Sequence, residues 1–105
     1  MQFSERVFCG GLSLKDIGRR VLLAGWVDAF RDHGGLLFIH LRDRSGIVQI
    51  VFSPDVAANE VCRKAASLRS EYCVSVSGEV RKRLDGTENP NIETGQIEVF
   101  VTELA

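Results

Sequence analysis

The sequence predicts an all-β fold, a small closed barrel of five strands with one helix between the third and fourth. Three observations carry that prediction. Apolar and polar residues alternate with a period of two through Leu37–Arg42, Val74–Arg81 and Ile97–Val101, as in strands with one buried face. Helical spacing of apolar residues occurs behind Pro54-Asp55, at Val56, Val61, Ala65 and Leu68. Gly25 interrupts a long apolar strand, where a bulge or bend lets a short sheet curl into a barrel.

Taken in order, Cys9-Gly10-Gly11 reads as a turn, and Leu14 to Ile17 as one helical turn closed by Gly18. The first strand spans about Arg20 to Arg31, and Asp32-His33-Gly34-Gly35 turns the chain. The second strand runs from about Leu36 to Arg42 and the third from about Ile47 to Ser53, joined at Ser45-Gly46. The helix starts at Pro54-Asp55 and reaches about Leu68. The fourth strand covers Tyr72 to about Arg83, with Val74, Val76, Gly78 and Val80 inward and Ser75, Ser77, Glu79, Arg81 and Arg83 outward. Leu84 to Gly95 is a polar loop, and the fifth strand spans Gln96 to about Glu103, with Gln96, Glu98 and Phe100 outward. Three strands, a helix and two strands, with a bent first strand, fit a five-stranded Greek-key barrel of the OB type, a pattern that other small barrels share.

A length of 105 residues suits one domain, residues 1–105, and 45% hydrophobic with 26% charged residues is ordinary globular composition. The net charge of −1 does not favour indiscriminate nucleic-acid attachment, so any such binding rests on local clusters: Arg81, Lys82 and Arg83, or Arg31, Arg42 and Arg44. Cys9, Cys62 and Cys73 are too widely spaced for a metal site and read as reduced thiols of a cytosolic protein. No apolar run is long enough for a membrane span or a signal peptide. A phosphate loop, a metal-ligand cluster and a nucleophile motif are all missing, which points to binding rather than catalysis.

The outward residues supply the chemistry. Phe38 serves either to stack a base or to pack against a neighbouring domain. Gln49 carries both a donor and an acceptor and can match a base edge, or simply meet solvent. Glu98 accepts hydrogen bonds only, and suits an unpaired guanine or a local partner such as Arg83. Arg31, Arg81 and Arg83 offer guanidinium forks to phosphate or base, or form a solvated charged face. Asp43, between Arg42 and Arg44, is expected to pair with one of them. His33 and Gly86 lie in the two loops that flank this face.

Several motifs together resemble the N-terminal anticodon-binding domain of bacterial aspartyl-tRNA synthetases. They are Gly25-Trp26-Val27, Arg31-Asp32-His33-Gly34-Gly35, Phe38-Ile39-x-Leu41-Arg42-Asp43-Arg44-x-Gly46-x-Val48-Gln49, Pro54-Asp55, Leu68-Arg69-Ser70-Glu71-Tyr72, Gly78-x-Val80-Arg81-x-Arg83 and Thr94-Gly95-x-Ile97-Glu98-Val99. The resemblance covers almost the whole chain in order, and the last segment favours the aspartyl type over the asparaginyl and lysyl types. It implies an OB-fold that binds the anticodon loop of tRNA. The Phe38 position then stacks on the middle anticodon base, the Gln49 position hydrogen-bonds that base, and the Glu98 position reads the first base. The Arg31, Arg81 and Arg83 positions contact the loop. At His33 and Gly86 the chain resembles family members that charge both aspartate and asparagine tRNAs. One departure stands out: where the family often has a run of arginines, Asp28-Ala29-Phe30-Arg31 keeps only the last.

The same resemblance implies a piece of a larger, cytoplasmic, homodimeric aspartate-tRNA ligase. ATP and Mg would serve a catalytic domain elsewhere in that polypeptide, and this piece would need no cofactor and would not aminoacylate by itself. The competing reading is a general single-strand-binding OB domain, with weak base preference and steep salt dependence.

Overall fold

The computed structural model describes residues 5–33, 35–56, 59–69, 72–83, 87, 89, 90, 92 and 94–104, excepting the side chains of residues 5, 33 and 59. Six strands and one α-helix are present among them: β1 (Glu5–Arg6), β2 (Arg20–His33), β3 (Leu36–Asp43), β4 (Gly46–Phe52), α1 (Asn59–Ala66), β5 (Cys73–Lys82) and β6 (Ile97–Leu104). Two short 3-10 turns, Cys9–Gly11 and Leu14–Asp16, fall where the sequence places its turns. β1 was not expected, because two residues carry no readable periodicity; it pairs in parallel with β2.

The barrel closes in the order β2-β3-β4-β6-β5 and back to β2. β2 makes this possible by serving two partners. Its first half, Arg20 to Trp26, pairs antiparallel with β5, and its second half, Trp26 to His33, with β3. At the changeover the two sheets approach closely: a Cβ on Gly25 would lie 2.2 Å from the Arg42 carbonyl oxygen. The bend expected at Gly25 is therefore a contact only glycine permits. The β-bulge itself falls between Val27 and Ala29, opposite Leu41 and His40.

The inward residues meet in one core. Leu23, Val27, Ile39, Leu41, Val48, Ile50, Phe52, Val76, Val80, Ile97, Val99 and Val101 are essentially inaccessible to solvent. α1 adds the buried Ala65, with Val61 on the helix and Leu68 just past its end packed against the core. The helix is shorter than its apolar spacing suggests. Ser53 Oγ accepts from the Asp55 N–H at 3.2 Å and the Val56 N–H reaches Ser53 O at 3.0 Å, so Pro54 and Val56 belong to a preceding turn.

Asp43 departs from its expected arginine pairing. Its carboxylate accepts from the Cys9 N–H (2.8 Å), the Ser45 N–H (2.8 Å) and Ser45 Oγ (2.5 Å), and so ties the segment around Cys9 to the β3–β4 hairpin. Burial alone would push the Asp43 carboxyl up, but these three donors outweigh it and hold the pKa below the ordinary value. The expected cluster of Arg31, Arg42 and Arg44 is also dispersed. Arg42 Nε pairs with Asp28 Oδ1 at 3.1 Å, while the Arg44 guanidinium lies 5.1 Å from the Phe8 ring centre.

Candidate nucleic-acid interface

The outer face of β3, β4 and β6 carries two cross-strand rows. In the first, Arg31 stands opposite Phe38, Phe38 opposite Val51, and Val51 opposite Phe100. In the second, Ala29 stands opposite His40 and His40 opposite Gln49, whose Nε2 donates to Glu98 Oε1 at 2.9 Å. Glu98 in turn stands opposite Arg81.

Arg31 reaches this face because of the bulge. Val21, Leu23 and Val27 point inward, and uninterrupted alternation would send Ala29 and Arg31 inward as well. The extra residue, Asp28, shifts the register by one, so Ala29 and Arg31 face out beside His40 and Phe38. The Arg31 guanidinium then lies 5.5 Å from the Phe38 ring centre, within cation–π range. Arg81 stacks on Phe100 at 4.4 Å and pairs through Nε with Glu79 at 2.8 Å. Each end of the first row thus presents an aromatic ring with a cation over it.

An open cleft of about 420 Å³ lies over the part of these rows made by Ala29, Arg31, Phe38, His40 and Gln49. Four of the residues expected to bind, Arg31, Phe38, Gln49 and Arg83, line it, together with Phe30 and His40. Glu98 joins through Gln49, and Arg81 flanks Glu98 on the next strand. Arg83 differs from its expected outward, solvated position. β5 ends at Lys82, and Arg83 is buried, 5% exposed, with Nε donating to Ile97 O (3.2 Å) and Nη1 to Thr87 O (3.1 Å). It braces the loop side of the cleft as much as it faces a ligand. Gly86 and the side chain of His33 lie outside the described residues.

His40 is a site residue that sequence reasoning passed over. It stands opposite Gln49 in the β3–β4 register and lines the cleft, and burial, then the nearby Arg83 charge, lower its pKa. Its outward parity beside Phe38 was the available signal. Phe100 was also read as outward, and its role emerges only from the pairing of β4 with β6, which lie far apart in sequence.

A π-face, a guanidinium above it and an amide in one open cleft, with a carboxylate hydrogen-bonded to the amide, are elements that bind unpaired bases. Comparison with known proteins agrees. The model of the tRNA anti-codon family, described as an OB-fold nucleic acid binding domain, matches residues 21–105. The chain belongs to this family. It is 78% identical over 104 residues to Aspartate--tRNA(Asp/Asn) ligase 1 of Syntrophus aciditrophicus, covering 99% of this chain and 14% of that protein. Identity to the Aspartate--tRNA(Asp/Asn) ligase of Caldanaerobacter subterraneus is 56%, over 91% of this chain and 16% of that protein. Among solved structures, asparaginyl-tRNA synthetase from Pyrococcus horikoshii complexed with asparaginyl-adenylate aligns with a TM-score of 0.80 and 34% identity, over 96% of this chain and 22% of that one. The OB barrel expected from the strand pattern is therefore the fold of this family member, and the chain spans about a seventh of the first of these ligases.

Proposed function

We propose that this OB domain binds the anticodon loop of aspartate tRNA on the β3–β4–β6 face, in the service of an aspartate-tRNA ligase. The observation that carries the reading is the cleft in which Phe38 under Arg31 lies one row from Gln49, itself hydrogen-bonded to Glu98. Phe38 stacks on the middle base and Gln49 hydrogen-bonds its edge. Glu98 keeps one oxygen for the first base. Arg31 and Arg81 steer phosphate, and Arg83 holds the loop edge beside them.

The ligase itself supplies amino-acid activation from a catalytic domain of the same polypeptide, using ATP and Mg, and acts in the cytoplasm as a homodimer. Asparagine tRNA is accepted as well. The two anticodons differ at the third base, where the loops bearing His33 and Gly86 would allow a permissive contact, and the relatives above carry Asp/Asn names. A net charge of −1 disfavours the alternative of sequence-blind single-strand binding.

The test is fluorescence titration of the chain with an aspartate anticodon stem-loop, an asparagine one, and a middle-base variant of the first. The expected result is similar binding of the first two and loss with the third. Equal binding of all three at a steep salt dependence rejects anticodon reading. An aspartate-to-asparagine difference of about 100-fold, roughly 2.7 kcal/mol, rejects dual acceptance.

A further inference from the structure

We infer that Glu98 is a positioning residue for Gln49, and that through it the first two anticodon bases are read as a coupled pair. The inference rests on the anticodon reading above and deepens it. Aspartate and asparagine codons share a middle adenosine and end in a pyrimidine, so both anticodons present guanosine first and uridine second.

An amide can face a base edge in two ways, related by a half-turn about its terminal bond. Uridine offers N3–H as donor and O4 as acceptor, whereas cytidine offers N3 as acceptor and N4–H as donor, with the order reversed. A freely turning glutamine therefore serves both pyrimidines equally. Gln49 does not turn freely, because its Nε2 donates to Glu98 Oε1 at 2.9 Å. An ionised carboxylate only accepts, so a half-turn would set the amide oxygen against a carboxylate oxygen. Gln49 is only 8% exposed, so water does little to relieve that clash. The amide thus meets the cleft it lines in one order. A base held in place on Phe38 finds the pattern of one pyrimidine, and the uridine common to both anticodons names which.

The Glu98 charge is not spent elsewhere. Among the described residues no cation forms an ion pair with it: Arg81, opposite on β5, gives its Nε to Glu79 at 2.8 Å and lies over Phe100. The bond from Gln49 occupies Oε1 and leaves Oε2, with both its lone pairs, for the N1–H and N2–H of an unpaired guanine. Guanosine therefore completes the carboxylate in the orientation that holds Gln49. Adenosine offers a bare N1 acceptor instead, which repels the carboxylate and loosens its hold on the amide. A wrong first base weakens the reading of the second.

The experiment titrates the chain and its Glu98→Gln variant with four aspartate anticodon stem-loops, which pair guanosine or adenosine at the first position with uridine or cytidine at the second. Glu98→Gln keeps the shape but offers both a donor and an acceptor, so the Gln49 amide can turn. The expected result in the parent chain is a uridine preference about tenfold larger behind guanosine than behind adenosine, the scale of one base-edge contact. In folded Glu98→Gln the preference falls by about the same factor and no longer depends on the first base, an effect at a base that Glu98 does not touch. Penalties that simply multiply in the parent chain overturn the coupling and leave anticodon reading standing. Coupling that persists in Glu98→Gln arises between the bases themselves and overturns the role of Glu98. Circular dichroism checks folding, and if Glu98→Gln does not fold, Glu98→Ala is read the same way. Absence of any base preference in the parent chain overturns both the coupling and the anticodon reading.

Discussion

The Arg31 guanidinium lies over the Phe38 ring, 5.5 Å from its centre, and the two residues are cross-strand partners on β2 and β3. One face of the ring is thus already matched with a cation. A base stacking beside this pair gains the aromatic surface and places its phosphate near the guanidinium.

Phe38→Ala is accordingly expected to weaken anticodon stem-loop binding by about 1–3 kcal/mol without unfolding the domain. The ring is on the outer face, so the core that Ile39 and Leu41 enter stays intact. Isothermal titration of the variant, with circular dichroism as the folding control, checks this. Unchanged affinity in a folded variant removes the stacking role.

Arg83 behaves differently because it is buried. Arg83→Met keeps much of the volume but leaves Ile97 O and Thr87 O without their guanidinium donors. Stability is expected to drop by about 1–3 kcal/mol, the cost of unpaired buried polar groups. RNA binding weakens too, since the loop side of the cleft loses its brace. Arg81→Met, at the exposed neighbour, should reduce binding and its salt dependence with little change in stability. Urea midpoints and salt-dependent titrations of the two variants separate these roles.

That contrast marks how far the sequence could be read. The period-two alternation of β3, β5 and β6 is strong because each strand has one wet and one dry face. It placed Phe38 and Glu98 on the outer face without any structure. Arg83 follows the same parity but lies one residue past the end of β5, where alternation no longer dictates direction. Asp28 is the converse case. It is the bulge residue that sets Arg31 outward, yet nothing in Val27-Asp28-Ala29 distinguishes it from regular strand. The register of β4 against β6 joins segments separated by the helix and β5, so the Gln49–Glu98 contact was beyond local pattern. Two-residue β1 was too short to show any pattern.

Acid should destabilise the fold in two stages. His40 has a folded pKa below its ordinary 6.5, chiefly from burial, with Arg83 and Arg31 disfavouring the charge and the nearby Asp28 partly opposing them. The unfolded chain therefore takes up this proton first. The stability contributed is full above 6.5 and is lost as pH falls through the lower folded value. Asp43 has a folded pKa below its ordinary 3.8, so its contribution is full above 3.8 and is lost at more acid pH. Urea midpoints across the acid range should show both declines. His40→Gln should remove the first and Asp43→Asn the second, and a variant that keeps its decline shows that another group is responsible.

The three cysteines should react in a set order. Cys73 is exposed at the start of β5, Cys62 is half-buried on α1, and Cys9 is fully buried. Burial pushes the Cys9 thiol up to about 12, and the neighbouring Asp43 charge adds to the effect. The thiolate is the reactive form, so Cys9 is both shielded and held protonated at neutral pH. With a small alkylating reagent, peptide mapping is expected to find Cys73 modified first, Cys62 later, and Cys9 only under conditions that unfold the chain. Asp43→Asn removes the adjacent charge and weakens the tie to the Cys9 N–H, so it should speed Cys9 modification while leaving the Cys73 rate unchanged. Equal rates for Cys9 and Cys73 in the folded parent chain would mean that the segment around Cys9 leaves the β3–β4 hairpin readily in solution.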